Sequence, residues 1–204
     1  MTFLGTASAV PTVDRSPTSV AVLRGSELIL FDAGEGVQRT LLASKLGLGR
    51  KMKIILTHLH GDHCIGILGL LQTMALLNRD KPLDIYGPLG TAGFIKTNMK
   101  YLNFSLTYDL RIHRVHEGVV AIEDDYSIEA CRAEHCITSY AYRLTEAQRP
   151  GIFYPERATA LGIPEGRLWS TLQRGESIAI GGRTVRPEDV MGPSRRGRSI
   201  CISG

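Results

Sequence analysis

The chain has 204 residues, of which 43% are hydrophobic and 22% charged, a balance that places it among ordinary globular proteins and excludes disordered and collagen-like classes. That length predicts one domain with a substantial core. No apolar run approaches the roughly 20 residues that span a bilayer, and Met1 to Val10 lacks the basic and long apolar regions of a signal peptide, so the expectation is a cytoplasmic protein without membrane contact. The net charge of +4 is unevenly placed: residues 1–136 carry 14 basic and 14 acidic side chains, whereas residues 137–204 carry 10 arginines, no lysine and 6 acids. Arginine forks grip phosphates bidentately, and on charge alone this excess reads equally as RNA contact or as a solvated face.

In chain order, residues 2–4, 19–24, 28–31 and 54–57 read as strands, with Gly25-Ser26 as a hairpin turn. Gly36 to Ala43 reads as a helix, as does Ile65 to Leu77, which is apolar almost all round and therefore expected to be buried. Asp84 to Tyr86 is a short strand and Leu89 to Leu102 a helix. Segments 108–115, 118–122, 126–132 and 140–144 read as antiparallel strands. This mixture predicts a layered α/β architecture. Residues 148–192 are rich in glycine and proline and poor in apolar pairs, so they are expected to project without adding to a core. Cys64, Cys131, Cys136 and Cys201 lack disulfide or C-x-x-C spacing and read as small buried thiols, a zinc-thiolate role being the lesser alternative.

The chemistry concentrates in Thr57-His58-Leu59-His60-Gly61-Asp62-His63. Three imidazoles and a carboxylate this close repel one another when like-charged groups coincide, and a divalent transition metal removes that conflict by binding neutral imidazoles and an ionised carboxylate. Two metals side by side would use all four ligands and activate a water. His58 and His60 are one residue apart, so an extended segment points them the same way. Gly61 allows a sharp turn, after which Asp62 begins the next helix, where the dipole favours an anion. The competing reading is a strand end, a capping Asp and solvated histidines. Asp32 ends a strand and reads either as an orienting partner for a ligand imidazole or as a helix cap before Gly36. His113 and His116 would face opposite sides of a strand and read as non-ligands.

The run from His58 to His63 resembles the signature of the metallo-β-lactamase superfamily. Phe3-Leu4-Gly5-Thr6-Ala7-Ser8-Ala9-Val10-Pro11, Phe31-Asp32-Ala33-Gly34-Glu35-Gly36-Val37-Gln38 and His135 with Ser139-Tyr140-Ala141-Tyr142-Arg143 narrow the resemblance to its ribonuclease Z family. Gly162-Ile163-Pro164-Glu165-Gly166 and Gly192-Pro193-Ser194-Arg195-Arg196-Gly197-Arg198 are similar to that family's arm and following strand. The resemblance implies a four-layer αββα sandwich with a flexible arm, or exosite, at 148–192. It also implies a zinc-dependent endoribonuclease that cuts tRNA precursors 3′ of the discriminator nucleotide, leaves a 3′-hydroxyl and works as a homodimer. Two zinc ions are implied per complete site: His58, His60 and His135 would hold one, Asp62 and His63 the other, with Asp62 accepting the water's proton. Arg149, Arg157, Arg167 and Arg174 are the tRNA contacts expected on the arm.

The chain departs from the family at Gly166-Arg167, where Gly-Pro is usual, and at Val13 and Ser16, where Lys and Asn are frequent. The family also uses a bridging Asp after a strand ending in Ser/Thr-Gly, and a later His. This chain ends at Ile200-Cys201-Ile202-Ser203-Gly204, so the resemblance implies that the C-terminal third is missing and that these residues alone are inactive. The alternatives are a small-molecule hydrolase or phosphodiesterase on the same fold, since one fold hosts many reactions, and a catalytically inactive RNA-binding or dimer-forming fragment.

Overall fold

The computed structural model describes all 204 residues. Strands β1 (Thr2–Gly5), β2 (Ser19–Arg24) and β3 (Glu27–Phe31) pair antiparallel, with Gly25 and Ser26 making the two-residue turn between Arg24 and Glu27. Gly25 has φ 53°, the left-handed backbone such turns require. After helix α1 (Val37–Ala43), strand β4 (Lys51–Ile55) adds parallel to β3. It starts three residues earlier than its apolar run suggests because Lys53 is buried and paired with Glu27 of β3 at 2.5 Å. Lys51 lies 3.5 Å from the same carboxylate oxygen. Buried ion pairs of this kind are invisible to a hydropathy pattern.

The helix expected over 65–77 begins one turn earlier and is interrupted. Helix α2 (Gly61–Cys64) is followed by α3 (Gly66–Leu76), because the Gly66 amide donates to the Ala33 carbonyl at 2.9 Å rather than continuing the helical ladder. Strand β5 (Leu83–Gly87), helix α4 (Thr91–Tyr101) and strand β6 (Leu110–Arg114) complete a six-stranded sheet of order β1-β2-β3-β4-β5-β6. Here the expectation of an antiparallel 108–115 strand is corrected: β6 runs parallel to β5, as the intervening helix α4 requires. Helices α1, α3 and α4 bury Val37, Leu41, Ile67, Leu70, Leu71, Met74 and Ile95 against Leu28, Leu30, Ile54 and Ile85 of that sheet.

Strands β7 (Gly118–Glu123), β8 (Tyr126–Ala133) and β9 (Ser139–Glu146) follow. Their connections are two and five residues long, which only antiparallel neighbours permit. Tyr142 of β9 sets its ring 6.1 Å from Phe31 of β3, and its hydroxyl donates to the Leu56 carbonyl at 2.8 Å. Phe31 points away from the helical layer, so helices, first sheet and second sheet form three successive layers of the expected four. No helix of the chain is long and apolar enough to cross a membrane.

The chain divides into two compact units, Met1–Ile122 with Ile128–Leu144 and Ile200–Gly204, and Glu123–Ser127 with Thr145–Ser199. The second holds α5 (Pro155–Ala160), α6 (Arg167–Gln173), the hairpin of β10 (Ile178–Ile180) and β11 (Arg183–Val185), and α7 (Pro187–Val190). Against the expectation of a coreless segment, it has its own apolar cluster. Ala158, Ile163, Leu172, Ile178, Val185, Val190 and Met191 are buried, with Phe153 and Trp169 packed on them. Glycine and proline punctuate short elements here, which hides the periodicity a longer helix would show. Strand β12 (Ser199–Ile202) then pairs with β9, giving the order β12-β9-β8-β7.

The close seating of α3 on the loop after β3 predicts opposite outcomes for two glycines. A Cβ on Gly66 would lie 2.0 Å from the Gly34 carbonyl oxygen, a backbone atom that cannot yield, whereas one on Gly93 in α4 meets nothing within 4 Å. Gly66→Ala should cost at least about 1–3 kcal/mol by overpacking, and Gly93→Ala should add about 0.5–1 kcal/mol through helix entropy. Urea midpoints of the two variants check this; an unchanged Gly66→Ala midpoint would contradict it.

Candidate metal centre

The metal-ligand candidates of the first unit gather at the carboxyl ends of β3 and β4, where parallel strands ordinarily place ligands. The end of β4 is held from both sides. Leu56 N donates to Tyr86 O at 2.8 Å, and Tyr140 N donates to Thr57 O at 3.0 Å. His58 and His60 then leave the sheet, with His60 in extended backbone (φ −68°, ψ 147°), and α2 starts at Gly61 with Asp62 in its first turn. The five-residue loop between β8 and β9 brings His135 to the same place.

The rings of His58, His60 and His135 lie 4.8–4.9 Å apart, centroid to centroid. One nitrogen from each falls within 4.8 Å of the others. His60 Nδ1 and His135 Nε2 are 3.0 Å apart, close to the ~3.3 Å separating two nitrogen ligands of one tetrahedral zinc with bonds of 2.0–2.1 Å. His63 stands 4.1 Å from the His58 ring, and its Nε2 is 3.5 Å from Asp62 Oδ2. Five side chains separated by up to 77 positions thus converge: His58, His60 and His135 in one group, and Asp62 with His63 beside it.

Beneath them sits Asp32, 1% exposed, with φ 57°. Its Oδ1 accepts the Thr57 amide at 2.7 Å, its Oδ2 accepts the Thr57 hydroxyl at 2.8 Å, and the same Oδ2 is 2.7 Å from His63 Nδ1. A carboxylate only accepts, so Nδ1 of His63 carries its proton and Nε2 is left with a lone pair. The Thr57 hydroxyl has a single proton, already given to Asp32. His58 Nδ1, 2.9 Å from that oxygen, must therefore donate to it, which frees His58 Nε2 in turn. Two imidazoles are thus held in the tautomer that metal ligation needs. This outcome tests whether the residues suit a metal, and they do: neutral nitrogen donors, a carboxylate at the edge and outer hydrogen-bond partners are the composition of a zinc-type site.

The charges agree. Burial, and then the neighbouring His63, His60 and His135, pull His58 down to about 4, so it is neutral at ordinary pH. Burial also opposes charge on His63, but the hydrogen bond and charge of Asp32 outweigh it and raise this imidazole.

Thr57 was the residue that motif reading overlooked. It is wholly buried, and its place just before His58, at the end of a strand, was the available signal. The reading of all four cysteines as buried holds only for Cys64; Cys131, Cys136 and Cys201 are exposed, and none forms a disulfide. His113 is taken up by Asp84 (2.8 Å) and stacks on Tyr86 (4.6 Å), away from the cluster. In the second unit Arg149, Arg157, Arg167 and Arg174 are all exposed. Arg149 exchanges backbone hydrogen bonds with Arg195, Arg157 lies over the Tyr154 ring at 4.4 Å, and Arg174 pairs with Glu176 at 3.1 Å.

A histidine held at about 4 while its unfolded counterpart titrates near 6.5 makes the fold lose stability as pH falls from 6.5 towards 4, because only the unfolded chain takes the proton there. A raised His63 acts oppositely: its contribution is complete below 6.5 and is lost as pH rises through its folded value. Proton NMR of the imidazole C–H resonances, with excess chelator, should place the His58 midpoint near 4. Asp32→Asn should lower that of His63. A His58 midpoint near 6.5 would contradict the packing described.

Comparison with known proteins agrees with this geometry. Residues 27–156 match the family model of the beta-lactamase superfamily domain. The chain is 44% identical over 204 residues to a ribonuclease Z of Nitrosopumilus maritimus, covering all of this chain and 68% of that protein. It is 43% identical to a ribonuclease Z of Methanosarcina acetivorans, covering all of this chain and 67% of that one. The chain therefore spans about two thirds of the length of these relatives. The crystal structure of human tRNase Z, short form, superposes with a TM-score of 0.66 at 32% identity, over 72% of this chain and 65% of that one. With a matching family model over most of the chain, close relatives along its whole length and a metallo-β-lactamase fold, the protein belongs to the ribonuclease Z family of the beta-lactamase superfamily.

Proposed function

We propose that the protein is a zinc-dependent endoribonuclease that cleaves tRNA precursors 3′ of the discriminator nucleotide. The observation that carries this is the convergence of His58, His60 and His135 with the Asp62–His63 pair in a chain whose relatives are ribonucleases Z. His58 Nε2, His60 Nδ1 and His135 Nε2 would hold one zinc ion, and Asp62 and His63 would contribute to a second. Bound there, zinc supplies positive charge that polarises a phosphodiester and makes water acidic enough to attack it. Asp62 takes the attacking water's proton, for which its position at the cluster's edge suits it. Attack on phosphorus with the ribose 3′ oxygen leaving yields a tRNA 3′-hydroxyl and a 5′-phosphate on the trailer. Asp32 and Thr57 keep the ligand rings in place throughout.

The second unit is proposed as the tRNA-holding arm, with Arg149, Arg157, Arg167 and Arg174 as phosphate-binding side chains. Support comes from their exposure and from the concentration of the chain's positive excess after residue 136. The hollow lined by Pro11–Ser16, Glu35, Gly36, Arg39 and Thr40 is where the RNA 3′ end would be received. Val13 and Ser16, where the resemblance implies Lys and Asn, lie in its wall. A homodimer, which rests on the family resemblance alone, and a cytoplasmic setting belong to the same proposal.

Asp62→Ala tests the chemistry. In a chain extended to its relatives' full length, this change should abolish precursor cleavage while leaving tRNA affinity within a few-fold, as paired cleavage and gel-shift assays would read. Equal losses in both would make Asp62 structural and sink its catalytic role. Neutralising Arg149, Arg157, Arg167 and Arg174 together should weaken tRNA binding and flatten its log–log salt dependence by roughly 0.7–0.9 for each phosphate no longer neutralised. An unchanged slope would remove the second unit from the RNA interface.

A further inference from the structure

His58 and His63 each turn Nδ1 towards an oxygen partner and leave Nε2 for the metal. His60 is reversed. Its Nδ1 faces the cluster, 3.0 Å from His135 Nε2, and its Nε2 faces the sulfur of Cys136 at 3.8 Å. We propose that Cys136 is a positioning residue of the metal centre: its sulfur accepts the His60 Nε2–H and so holds His60 in the tautomer whose Nδ1 lone pair meets the metal. The inference rests on the metal-binding reading above and adds to it an outer partner for His60, which the oxygen-bearing residues do not supply.

The contact favours this role over direct ligation, a choice that the cobalt spectrum below decides. A zinc-bound thiolate would sit about 3.6 Å from each ligating nitrogen, given bonds of 2.3 Å to sulfur and 2.0–2.1 Å to nitrogen in a tetrahedron. Cys136 Sγ lies 4.0 Å from His135 Nε2, and its hydrogen-bond contact with His60 is to Nε2, whereas Nδ1 is the nitrogen that meets His135. Cys136 also follows His135 directly in the chain, so the loop that delivers the third ligand delivers the second ligand's partner with it. Sulfur is a weak acceptor and this one is exposed, which places the effect at the lower end of the roughly 10–100-fold that outer partners contribute to metal affinity.

Zinc affinity of the 204-residue chain, measured by competition with a chromogenic chelator, tests the assignment. Cys136→Val should weaken zinc binding about tenfold, and Cys136→Ser, which restores an acceptor, should recover most of the loss. In a His60→Ala background the valine substitution should change affinity less than about twofold, since its effect passes through His60. The cobalt-loaded wild-type chain should show no sulfur-to-cobalt charge-transfer band in the near ultraviolet. Equal affinity of wild type and Cys136→Val, or the same loss with His60 absent, would overturn the proposal. So would an intense charge-transfer band, which would make the sulfur a ligand. A wild-type chain that binds no zinc would overturn the metal reading itself and this inference with it.

Discussion

The buried carboxylate of Asp32 is the constraint on which the site depends. Burial pushes the Asp32 carboxyl up and works against its ionised form, which is tolerated so far from water only when donors occupy its oxygens. Here the donors are the Thr57 amide, the Thr57 hydroxyl and His63 Nδ1. Satisfying Asp32 therefore fixes the end of β4, the rotamer of Thr57 and the ring of His63 at once, and through the threonine hydroxyl it sets His58. The backbone completes the clamp: Ala33 N donates to His63 O at 2.7 Å and Gly66 N to Ala33 O at 2.9 Å. Gly34 must lack a side chain because a Cβ would come within 2.5 Å of the Asp62 carbonyl oxygen. The left-handed backbone of Asp32 is the local cost, modest for an aspartate.

Much of this was legible in the residues themselves. The H-x-H-x-D-H run after an apolar strand announced a metal-binding composition, and the Gly25-Ser26 turn and the early strands fell where patterning put them. What stayed hidden has physical reasons. The start of β4 was masked because Lys53 is buried against Glu27, and alternation rules treat lysine as exposed. The direction of β6 depends on a crossover helix, a relation between segments that no local window contains. Residues 148–192 looked coreless because each short element offers only one or two apolar residues. Their cluster exists only once α5, α6, the hairpin and α7 meet. Thr57 is signalled only by its place before His58, since a hydroxyl beside a histidine is commonplace until the ring's two nitrogens are told apart.

The electrostatics of the cluster divide between two neighbours. Burial and the crowding of His63, His60 and His135 keep His58 uncharged at ordinary pH. Asp32 draws the opposite response from His63. One ring is thereby kept as a neutral donor and its neighbour is steadied by a negative partner, a division set by which side of the group the buried carboxylate occupies.

The second unit is closed at its own neck. Arg149 and Arg195 exchange both backbone hydrogen bonds at 2.9 Å, and three residues farther out on each side the Arg198 guanidinium grips the Glu146 carboxylate at 2.9 Å. Where the excursion starts and where it finishes are thus already tied together as a short ladder. Seen from the strands that carry it, the whole excursion has the boundary conditions of a hairpin turn. A lineage can lengthen, shorten or exchange such a piece while the connecting strands keep their register, because the entropy of closing the loop grows only slowly with its length. The neck makes the unit a replaceable cartridge, so its surface can diversify on this scaffold without disturbing the histidines that follow β4.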